Sequence, residues 1–148
     1  MGSKAKIFID TNILLDWLLP QRGHRQESEE VLSLARKGHF KTLISTQSIL
    51  DAAFSARKGG VDYPTFENIL NGLRSFVEIT AIDWLDLSWA TEHYTGDLED
   101  DAQYASAYNA CCDYFITRDK ALFSHNAPDN PMTVLTPEDF IASMTSDD

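Results

Sequence analysis

Five aspartates are placed where they could do chemistry together. Asp10 closes the apolar run Ile7-Phe8-Ile9, and Asp51 lies in the segment that begins Ser45-Thr46-Gln47. Asp97 and Asp101 bound the acidic stretch Asp97-Leu98-Glu99-Asp100-Asp101, and Asp119 ends Phe115-Ile116-Thr117-Arg118-Asp119. Carboxylates gathered from remote segments repel one another and stay ionised only with a cation among them. Oxygen donors with room for water suit Mg²⁺ or Mn²⁺ rather than zinc. Such an ion can activate a water and stabilise charge on a phosphoryl oxygen, with a second ion at the leaving group in two-metal sites. Phosphodiester hydrolysis is the chemistry that fits. Thr11, Asn12 and Thr117 flank the first and last acids and can support carboxylates or bound water. Arg118 and Lys120 are candidate phosphate contacts, with an ordinary surface role for both equally open.

Each acid also has a simpler role available. Asp10 and Asp119 can cap helices, Asp101 sits where a carboxylate favours a helix dipole, and Asp51 can be a solvated helix residue. None of these roles requires the acids to meet. The elements that carry them decide whether they do.

Strand and helix patterns alternate along the chain. Lys6 to Ile9 reads as a strand, followed by a helix with Ile13, Leu14, Trp17 and Leu18 at helical spacing up to Pro20. His24 to Lys37 is helical and stops at Gly38. Thr42 to Ile44 is a second strand, and Ser45 or Thr46 caps a helix through Ala56. A helix over Tyr63 to Arg74 precedes a third strand, Phe76 to Ile79. Helices over Trp84 to His93 and Leu98 to Cys111 lead to a fourth strand, Tyr114 to Ile116. Met132 to Leu135 is the fifth, and Pro137 starts a helix through Met144. Strands alternating with helices imply a three-layer α/β/α domain, a parallel sheet covered on both faces. In such a sheet the functional crevice lies at the carboxyl ends of the strands. Asp10, Asp51 and Asp119 follow strands there, and the helix feeding the fourth strand starts at the same edge with Asp97 to Asp101.

At 148 residues the chain is expected to form one domain with its core over about residues 6–144, and 43% hydrophobic residues give ordinary globular composition. No apolar run is long enough to span a bilayer. The opening Met1-Gly2-Ser3-Lys4 leads into a strand rather than a secretory leader, with Gly2-Ser3 resembling a cloning remnant. The tail from Thr145 to Asp148 is expected to fray. Cys111 and Cys112 are adjacent, a poor geometry for a disulfide, and read as thiols of a reducing cytoplasm. His24, His39, His93 and His125 have no zinc-site spacing. The net charge of −11 opposes binding of a polyanion. Cation loading of a carboxylate cluster, or a basic protein partner, would offset it.

These motifs resemble the PIN-domain family. Ile7-Phe8-Ile9-Asp10-Thr11-Asn12-Ile13 is similar to the family's opening, and Ser45 with Asp51 to the segment carrying its second acid. Asp101-Ala102 with Ala105 and Ala107 resembles the third acidic motif, with Asp97 as second choice, and Phe115 to Asp119 resembles the fourth. Leu135-Thr136-Pro137-Glu138-Asp139-Phe140 looks like the ending of many bacterial members, and the likeness runs from about Lys6 to Met144. The resemblance implies strand order 3-2-1-4-5 and Mg²⁺- or Mn²⁺-dependent endonucleolytic cleavage of RNA by Asp10, Asp51, Asp101 and Asp119. It also implies frequent homodimers and, as in the bacterial VapC-like group, a toxin blocked by a small antitoxin protein. One departure is Asp51, where the family usually has glutamate.

Other readings rank lower. A phosphatase forming an aspartyl-phosphate needs an acid two residues after the first, where Asn12 stands. A phospho-receiver domain needs an acidic pair near the start and a late lysine in a pattern this chain lacks. A PIN-like fold kept as a catalytically idle module binding RNA or protein is the stronger rival, favoured by Asp51 and the acidic surface.

Overall fold

The computed structural model describes residues 4–23 and 25–145. The expected helix start at His24, the Gly2-Ser3 remnant and the tail beyond Thr145 lie outside the described residues. The strands are β1 (Lys6–Ile9), β2 (Lys41–Ser45), β3 (Glu78–Thr80), β4 (Tyr114–Ile116) and β5 (Thr133–Leu135). The helices are α1 (Thr11–Leu18), α2 (Arg25–Arg36), α3 (Thr46–Lys58), α4 (Tyr63–Leu73), α5 (Trp84–Glu92), α6 (Leu98–Asn109) and α7 (Pro137–Thr145). Short 3-10 turns occupy Pro20–Arg22 and Lys120–His125.

The strands form one parallel sheet in the order β3-β2-β1-β4-β5, as expected. The chain starts in the middle, winds outward through β2 and β3, and returns to the other side of β1 for β4 and β5. The reversal falls between β1 and β4, where Ile9 stands opposite Ile116. A parallel sheet leaves a crevice at such a point, because the connections on either side run apart. The ladder extends one residue further: the Asp10 amide donates to the Ile116 carbonyl at 3.0 Å, and the Thr117 amide donates to that of Leu135 at 3.0 Å.

Side-chain alternation divides the core into two layers. Ile7, Ile9, Ile44 and Ile116 face α1, α2, α3, α4 and α7, burying Leu14, Val31, Ala52, Phe66 and Phe140. Phe8, Leu43, Phe115 and Val134 face the opposite way, toward Tyr104 and Ala107 of α6, Leu122 and Met132. Phe8 and Phe115 stack across neighbouring strands at 5.4 Å with their planes 9° apart. Because both faces are covered, β1, β2 and β4 read as apolar runs rather than alternating ones.

Helix caps set where each helix begins. Asp10, Ser45, Asp62, Asp83 and Asp97 all accept hydrogen bonds from first-turn amides. Asp83 and Asp86 reciprocate as a capping box.

Most element boundaries lie within two residues of expectation, and two differences have a local cause. The third strand starts at Glu78 instead of Phe76, because the Phe76 and Val77 amides still bond to the Leu73 carbonyl and finish the turn after α4. The turn at Pro20–Arg22 carries no apolar periodicity and was not expected. Cys111 and Cys112 are free thiols; Cys111 adopts a left-handed φ of 60° after α6, and burial pushes the Cys112 thiol up to about 12. Among the described residues no helix is long and apolar enough to cross a membrane.

Candidate active site

Asp10 lies at the reversal point and is 2% exposed. One of its oxygens accepts from the Thr11 amide at 2.6 Å, and the other accepts from the Thr117 hydroxyl at 2.8 Å. Asn12 Nδ2 reaches the second oxygen at 3.5 Å. Burial pushes the Asp10 carboxyl up to about 6, against the lowering effect of Thr117 and Thr11, and the charges of Asp119 and Asp97 push the same way as burial. Thr117 therefore links two acids, since its hydroxyl also accepts from the Asp119 amide at 2.9 Å. Thr11, Asn12 and Thr117, the residues expected to support a carboxylate, all lie against Asp10.

The remaining acids stand in two pairs. Asp100 lies within hydrogen-bonding reach of Asp119 across the crevice, and Glu99 within reach of Asp51. A carboxyl beside another carboxylate holds its proton more tightly. Asp100 accordingly is raised to about 9, by burial first, then by the bond to Asp119 and the charges of Asp10, Asp97 and Asp119. Asp119 moves down, because it accepts the bond from Asp100. Glu99 rises to about 8 through its bond to Asp51, then burial, then the charges of Asp51, Asp97 and Asp10. Asp97 caps α6, accepting from the Asp100 amide at 3.1 Å, and contributes its charge to Asp10, Glu99 and Asp100.

Asp101 is not part of this assembly. It is fully buried, and its oxygens accept from the Thr95 amide at 2.8 Å and the Thr95 hydroxyl at 2.6 Å. Successive helical residues point about 100° apart, so with Asp97 at the cap it is Asp100 that faces the crevice, while Asp101 turns back on the loop before α6. The alanine that follows Asp101 was a misleading guide to helix phase. Asp51 lies beside the rim, with Gln47 Nε2 donating to it at 3.0 Å and Glu99 next to it.

Beneath the acids is a buried polar layer. The Ser48 hydroxyl donates to Gln103 Oε1 at 2.9 Å and shares a 2.7 Å hydrogen bond with the Thr11 hydroxyl. Gln103 Nε2 donates to Thr11 Oγ1 at 3.3 Å and, at the limit of reach, to Glu99 at 3.5 Å. These contacts lock α3 and α6 onto the start of α1. The sequence offers Glu99 and Asp100 among the crowded acids of the third motif, but Asp101 and Asp97 are the ones it favours; Ser48 and Gln103 it does not mark as site residues. Gln103, a polar residue inside an alanine-rich helix, is the one with a visible signal.

The expected cations are arranged differently from one another. Arg118 donates to Glu138 at 3.5 Å and to Ser28 at 3.1 Å, and pairs with Asp16 at 3.0 Å, which makes it a strut between α1, α2 and α7 rather than an open phosphate contact. Lys120 is exposed at the start of the second 3-10 turn, next to Asp119. A cavity of about 410 Å³ lined by Trp89, Tyr104, Tyr108 and His125 contains none of the rim acids.

Among the described residues no three acidic, histidine or cysteine side chains already converge at ligand spacing. The donor set is all carboxylate oxygen, with Glu99 and Asp100 pushed toward their protonated forms by the acids beside them. A hard divalent ion replaces such protons and takes oxygen ligands, so the residues fit Mg²⁺ or Mn²⁺ by donor chemistry.

No curated protein matches the sequence. Among solved structures, the fold is similar to a chain of a toxin–antitoxin complex from Klebsiella pneumoniae, with a TM-score of 0.63 and 23% identity over 88% of this chain and 97% of that one. The family model described as PIN domain matches residues 6–121, the span that contains every acid of the rim. By that match the chain belongs to the PIN-domain family.

Proposed function

We propose that this PIN domain is a divalent-metal-dependent endoribonuclease and the toxin of a toxin–antitoxin pair. PIN domains are generally nucleases. The observation that carries the reading here is the Asp100–Asp119 pair beside buried Asp10 at the strand reversal.

Asp10, Asp100 and Asp119 would hold Mg²⁺ or Mn²⁺, with Asp97 near enough to add charge or a water-mediated contact. When bound, the ion supplies a water activated for attack and charge stabilisation on the phosphoryl oxygens. The protein's own groups do the rest. Thr117 and Thr11 hold Asp10 in one orientation and favour its charged form. Asp51 and Glu99 form a second acidic position, and Glu99, raised to about 8, can take a proton from an attacking water or give one to a leaving oxygen. Asp51 is a methylene shorter than the glutamate usual in the family, and Glu99 lies beside it.

The partner part of the proposal rests on the structural neighbour, which belongs to a toxin–antitoxin complex. A net charge of −11 suits a basic protein partner. A homodimer in the cytoplasm completes the proposed setting.

Incubating purified protein with a mixed-sequence RNA pool and Mg²⁺ or Mn²⁺ tests the activity. Fragments that disappear with a chelator, and in Asp10→Asn and Asp100→Asn, support it. RNA left intact by folded, metal-supplied protein overturns it.

A further inference from the structure

We propose that Arg22 is the rim's contact for the RNA backbone and that buried Asp16 positions it, an inference that rests on the ribonuclease reading. Asn12 and Asp16 lie four residues apart in α1, so they share a helix face and point from the rim inward. Asp16 is fully buried, and a buried carboxylate requires charged or hydrogen-bonding partners. Among the described residues it has Arg22 Nε at 3.0 Å, Arg118 Nη2 at 3.0 Å and the Ser28 hydroxyl at 2.8 Å.

The two arginines are not equivalent. Arg118 turns inward, with its side chain 17% exposed and further contacts to Ser28 and Glu138. The Arg22 side chain is 35% exposed, and it runs from Asp16 toward the rim, where Nη2 donates to Asn12 Oδ1 at 3.2 Å. Asn12 is the side chain that reaches Asp10. Arg22 is therefore one residue away from the central acid.

Two guanidinium groups on one buried carboxylate leave local positive charge, partly offset at Arg118 by Glu138. That charge sits beside the acids of a chain that otherwise repels a polyanion. A guanidinium presents planar paired donors that match phosphate oxygens, and Asp16 fixes one edge of it. The 3-10 turn that carries Arg22 ends at Gly23 with φ 84°, a conformation that favours glycine and sets the approach of the side chain.

The test is fluorescence-anisotropy titration of a mixed-sequence RNA oligonucleotide across a salt series, with Ca²⁺ as the divalent ion so that binding is read without turnover. Removing one phosphate contact lowers the slope of log K against log salt by about one, whereas a purely structural role leaves it unchanged. Arg22→Gln is expected to weaken binding several-fold and lower that slope; Arg22→Lys is expected to keep the slope. Arg118→Lys is expected to lower the melting temperature without changing the slope. A wild-type slope in Arg22→Gln, or no RNA binding by the wild-type protein, overturns the proposal. Parallel cleavage in Mg²⁺ separates the two readings. Arg22-dependent binding without cleavage removes the ribonuclease reading alone, and cleavage with an unaltered Arg22→Gln slope removes this one alone.

Discussion

Asp100 and Asp119 face each other across the crevice, one from the first turn of α6 and one from the loop leaving β4. Two acids so placed favour a proton on one of them, and Asp100 is raised to about 9. That is a sign that this edge of the sheet is short of positive charge.

Neighbouring aspartates in α6 should therefore behave oppositely. Asp100→Asn is expected to leave the fold intact and reduce RNA cleavage on the order of 100-fold or more, the scale of losing a group that acts on transition-state charge. Asp101→Asn is expected to cost about 1–3 kcal/mol, because it weakens two charge-assisted bonds from Thr95. Its folded fraction should still cleave. Chemical denaturation beside a cleavage assay separates the two, and the reverse pattern would restore Asp101 as the third acid.

Stability should fall with pH in the absence of metal. Asp10, Glu99 and Asp100 have folded-state values raised to about 6, 8 and 9, so their protonated forms are favoured by folding. That contribution is complete below the ordinary carboxylate range and is lost as pH rises through those values. For buried Asp10 alone it is on the order of 3 kcal/mol. Melting temperature in chelator is expected to decline between about pH 5 and pH 9, and Mn²⁺ should restore it most at the alkaline end. A metal-free melting curve that is flat or rising over this window contradicts the charge balance described.

Thr117→Val tests the support of Asp10. The variant removes the hydroxyl that donates to Asp10 and accepts from the Asp119 amide. Asp10 should then be harder to ionise, and the acid limb of the pH–rate profile should move to higher pH. The stability cost is about 1–3 kcal/mol. An unmoved limb means that Asp10 ionisation does not govern that limb.

Much of this was legible in the sequence because parallel strands covered on both faces must be apolar and short. Ile7-Phe8-Ile9 and Tyr114-Phe115-Ile116 mark themselves in that way, and the acids after them follow from chain direction. Helix phase was not legible. Asp100 and Asp101 differ by one residue, and only the cap at Asp97 and the loop at Thr95 decide which faces the crevice. The roles of Arg118 and Arg22 were also hidden, because they depend on a buried partner, Asp16, in an unremarkable stretch of α1. Glu99 escaped for a related reason: its partner Asp51 lies on a helix packed beside it rather than near it in sequence.

The polar layer beneath the acids makes its own prediction. Gln103→Leu leaves the Ser48 and Thr11 hydroxyls without their buried amide partner. A loss of about 1–3 kcal/mol is expected for the buried hydrogen bonds removed, together with weaker cleavage as α6 loosens against α1. Urea denaturation and initial rates measure both. Wild-type stability in this variant would show that the layer contributes nothing to holding the site.

The central claim is that the carboxylates of this rim hold a hard divalent cation. Electron paramagnetic resonance of Mn²⁺ titrated into the purified protein tests it most directly. The expected result is stoichiometric loss of the free-ion signal with wild-type protein, and its return in Asp10→Asn and Asp100→Asn but not in Asp101→Asn. Mn²⁺ that stays free in wild-type protein, or binds as tightly to Asp10→Asn and Asp100→Asn as to wild type, would contradict it.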